Sequence, residues 1–407
     1  MRITVALGPL CLSFRRSLDL ATCRQDPIGM SGTDYGTLRI AECLRDIGHS
    51  VVLRTVSAEA GTTWNGIEVI GPDAAVPACD AMIAINEPDL LRDAPAGAFR
   101  VCMTWLNDFS FARAGLSEHV DLFASCSAPH LEQFRTNPAW HRVQVTPDHP
   151  DGAETFRFDE SKWAVIPLGC DPERLGPRGS GGEGMSLERE KVPGRVVYCS
   201  SPDRGLHWLL QEWPAIKAAV PHAELRVFYR LKDWLRSWDN TPHFPAIEPL
   251  RKRALYIEEA LRRLQGHGVT VRDSVSRDVI EEEMSVAEVL GYPCETTTWS
   301  EGFSCTILEC CAAQACPVIT DCDALGEVYA AIAPVPMHLA TERWMSASGL
   351  AGATPEWVGV WRERVIRALT DEAFRADVNA KARKLAEGLT WKRTAERLVA
   401  EIERRKT

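Results

Sequence analysis

Short β-rich apolar runs recur through the first part of the chain: ITVAL at 3–7, VVLRTV at 51–56, AMIAI at 81–85, VCMTWL at 101–106, VDLFAS at 120–125 and WAVIPL at 163–168. Their length and β-branched content predict strands. Between the first two, Leu38, Ile40, Ala41, Leu44 and Ile47 recur at helical spacing, and Gly48 marks the stop. Strands alternating with helices predict βαβ units and a mainly parallel sheet. The alternation breaks over 171–195, where Gly176, Pro177, Gly179, Gly181, Gly182 and Gly184 lie among mixed charges, which is linker chemistry. It then restarts with strands at 195–200, 224–229, 269–274 and 317–320 and helices over 205–220, about 249–265 and 303–314. A long polar helix is expected over about 371–405, with a kink or restart at Trp391. The expected organisation is a first domain over 1–172, a linker over 173–194, a second domain over 195–385 and a terminal helix over 386–407. Two such α/β domains leave a crevice, and ligands bind at the carboxyl ends of their strands.

Composition narrows the class. The chain has 407 residues, 45% apolar and 25% charged, the balance of an ordinary globular protein. Its formal net charge of -10 argues against a nucleic-acid binder. Basic runs at Arg251-Lys252-Arg253, Arg262-Arg263 and Arg404-Arg405-Lys406 read as solvated helix faces, or as contacts to a membrane surface or an anionic acceptor. Fourteen cysteines are scattered without C-x2-C spacing, and Cys305, Cys310, Cys311 and Cys316 read as small buried hydrophobes. The opening MRITVALGP is too short for a secretory signal and precedes Arg15 and Arg16. No apolar run reaches the ~18 residues of a membrane helix. Reduced thiols in a cytoplasmic protein are expected.

The most informative segment is EGFSCTILE at 301–309, with two carboxylates eight positions apart. Gly302 suits a tight loop approaching a ligand. A helix starting near Phe303 or Ser304 would aim free N–H groups and its positive end at an anion such as a diphosphate. Glu309 lies two turns in, surrounded by Cys305, Ile307, Leu308, Cys310, Cys311, Ala312 and Ala313. A carboxylate buried there needs a partner: two ribose hydroxyls, or a neighbouring arginine.

EGFSCTILE resembles the E-x7-E motif of the retaining GT-B glycosyltransferases of family four. Other segments agree in order. The stretch from Gly32-Thr33-Asp34 through Leu38 to Gly48-His49 is similar to that family's N-terminal G-S-E…L-A…G-H segment. Pro167-Leu168-Gly169-Cys170-Asp171 resembles its P-N-G-V-D interdomain turn, Ser200-Ser201-Pro202-Asp203-Arg204-Gly205-Leu206 its donor-phosphate loop, and Asp323-Ala324-Leu325-Gly326-Glu327 its A-L-P-E loop. The similarity runs from about 29 to 330, with a terminal-helix likeness around Trp391.

The resemblance implies an α/β fold of GT-B type, with two Rossmann-like domains facing each other across a cleft. The N-terminal domain would take the acceptor, and the terminal helix would cross back to it. The reaction implied is transfer of a sugar from a nucleotide diphosphate sugar, of UDP or GDP type, to an acceptor hydroxyl with retention and without metal or other cofactor. The acceptor would be a sugar, glycan, lipid-linked or protein group. Glu309 would hold the ribose, Glu301 the transferred sugar, and Gly302, Phe303 and Ser304 would line the sugar and diphosphate by their amides. Gly32 would lie at the ligand from the first domain. Arg204 would neutralise the leaving diphosphate in place of a common lysine; otherwise it is a surface arginine in a turn.

Two departures stand out. The second basic residue usual upstream of Arg204 is missing, because Tyr198 and Cys199 occupy the region, and Arg230 or Lys232 could substitute. Asn107-Asp108 stands where relatives often show His-Asp facing the acceptor, so Asp108 is an acceptor contact or a helix cap. Asp321-Cys322-Asp323 spells D-x-D but reads as loop or N-cap chemistry in this context. Rival readings are an inactive sugar-nucleotide-binding module and another GT-B enzyme, an epimerase or a phosphorylase-like protein.

Overall fold

A computed structural model describes residues 1–9, 17–57, 59–106, 115–136, 158–175, 190–239, 248–295, 301–337 and 354–406. The chain divides into two compact units. Unit 1 holds Met1–Asp26, Met30–Gly169 and Leu389–Thr407; unit 2 holds Pro27–Gly29 and Cys170–Gly388.

In unit 1 the chain runs β1 (Arg2–Leu7), α1 (Gly32–Asp46), β2 (Ser50–Arg54), β3 (Thr63–Trp64), β4 (Ile67–Ile70), β5 (Ala81–Ile85), β6 (Phe99–Thr104), β7 (Leu122–Ser125), α2 (Ala128–Thr136) and β8 (Trp163–Val165). The sheet order is β3-β4-β2-β1-β5-β6-β7-β8, parallel except for the β3–β4 pair. AMIAI of β5 is buried at every position, as a central parallel strand covered on both faces should be. Ser31 caps α1 in a reciprocal capping box with Asp34, which fixes where the helix begins. Beneath α2, Phe123, Phe134 and Trp163 interlock, with the Phe123 and Trp163 rings stacked at 4.8 Å.

Unit 2 runs α3 (Pro172–Leu175), β9 (Arg195–Tyr198), α4 (Leu206–Ala219), β10 (Glu224–Phe228), α5 (Leu231–Asp239), α6 (Glu248–Arg263), β11 (Val269–Arg272), α7 (Arg277–Val286), β12 (Val289–Tyr292), α8 (Cys305–Ala312), β13 (Cys316–Ile319), α9 (Leu325–Val328), α10 (Glu356–Thr370) and α11 (Glu372–Gly388). Its sheet is wholly parallel in the order β11-β10-β9-β12-β13. From β9 the chain moves through α4 to β10 on one side, while β12 pairs with β9 on the other. The carboxyl ends of β9 and β12 therefore form a topological switch point, where open α/β sheets bind ligands.

The last helix, α12 (Trp391–Lys406), belongs to unit 1. Its apolar stripe Trp391, Ala395, Leu398 and Ile402 is buried, and Thr394 donates to Pro167 O at 2.8 Å. The close approach needs Gly169, where a Cβ would lie 2.2 Å from the Trp391 nitrogen. The polar stretch over 371–405, with a kink or restart expected at Trp391, is two helices, α11 and α12, and Thr390 Oγ1 accepts the Arg393 N–H at 3.2 Å. The 173–194 stretch is also not linker throughout. Part of it is α3, and Lys191 Nζ donates to the carbonyls of Ala287 and Ala313 at 2.8 Å each. Residues 176–189 lie outside the described residues. Among the described residues no helix is long and apolar enough to cross a membrane.

Candidate functional site

Two loops meet at the unit 2 switch point. The turn from β9 to α4 carries Ser200, Ser201, Asp203 and Arg204. The loop from β12 to α8 carries Glu301 to Ser304. Between Arg204 and α4 stands Gly205 at φ 89°, where a Cβ would lie 1.8 Å from Pro293 O. Only glycine lets the turn pass this close to the end of β12.

Arg204 and Glu301, 97 positions apart, come together as an ion pair with Nε to Oε1 at 2.6 Å. Arg204 also pairs with Asp203, which accepts from the Ser201 hydroxyl. Tyr292, the last residue of β12, donates to Glu301 Oε1 at 3.0 Å. The Glu301 main chain is pinned from the far side: its N–H donates to Asp323 Oδ2 at 3.1 Å, and its carbonyl accepts from Ala324 N at 3.1 Å. Burial is the largest influence on the Glu301 carboxyl and pushes its pKa up, opposed by the Arg204 charge and by hydrogen bonds from Arg204 and Tyr292. Burial also disfavours the Arg204 charge, but Glu301 and Asp203 outweigh it and hold that pKa well above its ordinary value. Arg204 is thus a half-enclosed, doubly paired cation rather than a surface arginine in a turn.

The helix begins later than its sequence suggests. Ser304 sits at φ 66°, ψ 86°, in the left-handed region, so the first helical residue is Cys305. A non-glycine residue there is strained, and such strain concentrates at functional sites. Tyr329 holds the distortion by donating to Ser304 O at 2.7 Å, and Thr306 Oγ1 donates to Cys199 O at 3.1 Å. Phe303 is buried and its ring meets Tyr329, so its side chain is core. What this segment can offer a ligand is main chain, including the amides of the α8 amino terminus.

Glu309 is 3% exposed and paired with Arg277 at the start of α7. Arg277 Nε also donates to Glu281 at 3.0 Å, an i,i+4 pair on one helix. Of the two partners open to Glu309 in the sequence, the arginine is the one present in the chain. The ribose alternative is not displaced, since a carboxylate accepts several hydrogen bonds.

The remaining candidates are spread. Arg230 follows β10 and pairs with Asp233. Burial pushes the Tyr229 phenol pKa up, and the charges of Arg204 and Arg230 both oppose that rise. Lys232 points to Asp273 at 4.0 Å and is largely exposed. Gly32 opens α1 of unit 1, and a Cβ there would meet nothing within 4 Å. Asn107 and Asp108 lie outside the described residues. Asp321 accepts from Met337 N at 2.7 Å while Asp323 serves Glu301, so both carboxylates do loop work. Among the described residues no cluster of His, Cys, Asp and Glu could hold a metal ion.

Within the basic run at 251–253, Arg253 does not belong to a solvated face. Arg253 is 4% exposed, and its Nη2 donates to Glu295 Oε1 at 3.0 Å. Sequence reasoning also passed over Asp203, Tyr292, Arg277 and Glu295. Only the Arg277–Glu281 spacing offered a local signal; the other contacts depend on residues far apart in the chain.

No protein-family model matches the chain, and no curated protein sequence matches it. Solved structures do. AviGT4, a glycosyltransferase involved in avilamycin A biosynthesis, is 15% identical, with 100% of this chain and 98% of that one covered and a TM-score of 0.58. A sucrose-phosphate synthase from Thermosynechococcus elongatus is 11% identical, with 99% and 98% covered and a TM-score of 0.61. A trehalose-6-phosphate protein from E. coli bound with UDP-2-fluoro glucose is 12% identical, with 99% of each chain covered and a TM-score of 0.59. With its two parallel-sheet α/β units, the chain has the GT-B fold.

Proposed function

We propose that this chain is a retaining glycosyltransferase that moves a sugar from a nucleotide diphosphate sugar to an acceptor hydroxyl and uses no metal ion. The observation that carries the reading is the Arg204–Glu301 pair beside the strained start of α8, at the carboxyl ends of β9 and β12. It joins a cation, a carboxylate and the amino terminus of α8 where a sugar diphosphate needs them. Arg204, with Arg230, takes the charge of the leaving diphosphate together with the α8 amides. Glu301 orients the transferred sugar through its hydroxyls. Glu309, steadied by Arg277, accepts the ribose hydroxyls. Gly302, Phe303 and Ser304 contribute backbone, and Gly32 leaves room for a ligand at unit 1. The acceptor is a sugar, glycan, lipid-linked or protein hydroxyl, and the place of action is the cytoplasm. Likeness in fold to a protein bound with UDP-2-fluoro glucose supports the choice of donor class.

The test is a thermal-shift panel of UDP, GDP, ADP, CMP and a dTDP nucleotide on wild type and Glu309→Ala. At about 100 times its dissociation constant a nucleotide stabilises by roughly 2.7 kcal/mol. One nucleotide should shift wild type and fail to shift Glu309→Ala, and Arg204→Ala should mainly slow donor turnover. No shift with any nucleotide would remove the donor-site reading.

A second reading is a binding module without transfer. It is favoured by the clasp that Asp203 and Glu301 place on Arg204, which a diphosphate must share. That reading expects the same thermal shift with neither donor hydrolysis nor transfer.

A further inference from the structure

The hydroxyl of Tyr292 links the two loops of the site. Tyr292 is fully buried, and its ring stacks on Tyr198 with centroids 5.9 Å apart. Packing asks only for an aromatic ring, and phenylalanine would fill the same space. The hydroxyl oxygen lies 3.0 Å from Glu301 Oε1 and 3.1 Å from Ser200 Oγ. An ionised carboxylate only accepts, so the single Tyr292 proton goes to Glu301. Ser200 must then donate to Tyr292. The resulting order runs Ser200 to Tyr292 to Glu301, and Arg204 closes the ring from the same turn that carries Ser200. Both donors engage Oε1, so the carboxyl group is held from two directions.

We propose that Tyr292, seated by Ser200, is a positioning residue of this site: it holds the Glu301 carboxylate, and through it the Arg204 guanidinium, in the orientation that meets the donor. This rests on the donor-site reading above. A hydrogen bond to the ionised form favours that form. Removing the Tyr292 hydroxyl therefore moves the Glu301 titration up, beyond the rise that burial already causes.

The experiment compares wild type, Tyr292→Phe and Ser200→Ala in the full chain. Glutamate labelled at its side-chain carboxyl is titrated by NMR, with the Glu301 signal assigned by its loss in Glu301→Gln. Hydrolysis of UDP-glucose and GDP-mannose is followed against pH. The expected result for Tyr292→Phe is an unchanged urea midpoint, a Glu301 midpoint above wild type, and donor turnover down about tenfold with its acid limb moved the same way. Ser200→Ala should move both in the same direction by less. A folded Tyr292→Phe with the Glu301 titration unmoved would overturn the proposal. If wild type hydrolyses neither donor, the functional reading fails on its own and the titration still decides the role of Tyr292. If Tyr292→Phe does not fold, the Ser200→Ala titration decides it alone.

Discussion

At the scale of single residues, unit 2 keeps several charges and polar groups away from water. Glu295 accepts from the Trp208 indole and from Arg253, and His207 lies 3.8 Å from the same carboxylate. A buried carboxylate is tolerated only with such partners. Burial pushes the His207 pKa down from 6.5 to about 4. Over that interval the unfolded chain takes up a proton that the folded chain refuses, so stability falls as pH drops from 6.5 toward 4. His207→Gln should flatten this dependence, read as the difference between urea midpoints at about pH 7 and pH 5. Equal differences in variant and wild type would refute the assignment. The partners of these groups were illegible in the sequence, because Arg253, Glu295 and His207 belong to three separate segments.

Elements were far easier to read. AMIAI over 81–85 is a strand at those same positions, since a parallel strand covered on both faces needs an unbroken apolar run and ends where that run ends. A boundary moved where one backbone conformation decides it, as at Ser304. Gly205 shows how strongly a turn depends on such a residue. Gly205→Ala meets both a positive φ and the Pro293 carbonyl. It should cost about 2 kcal/mol or more, seen as a lower urea midpoint. An unchanged midpoint would show that the two loops can separate without penalty. The two carboxylates of EGFSCTILE were legible as a pair, but their immediate partners were not. Arg204 and Arg277 reach them through the tertiary fold, from the β9–α4 turn and from α7.

At the scale of the molecule, unit 1 is completed by the end of the chain. Trp391, Leu398 and Ile402 are buried in it, and Leu398 and Ile402 each contribute roughly 1.5–3 kcal/mol by leaving water. A chain ending at Gly388 should lose unit 1 first. Limited proteolysis should then leave a resistant fragment beginning near Cys170, whereas equal resistance of both units would contradict this. The sequence by itself determined the α/β class, the alternation of strands and helices behind it, though not β12, α5 or α7, and the local chemistry of the helix that starts after Ser304. These follow from spacing and side-chain type, which act over a few residues. Only the tertiary structure decided that Arg204 meets Glu301, that Arg277 meets Glu309 and that Tyr292 bridges the two loops. Such contacts arise when strand order brings distant loops to one sheet edge, where burial forces each charge to find a partner, and no short stretch of sequence carries that information.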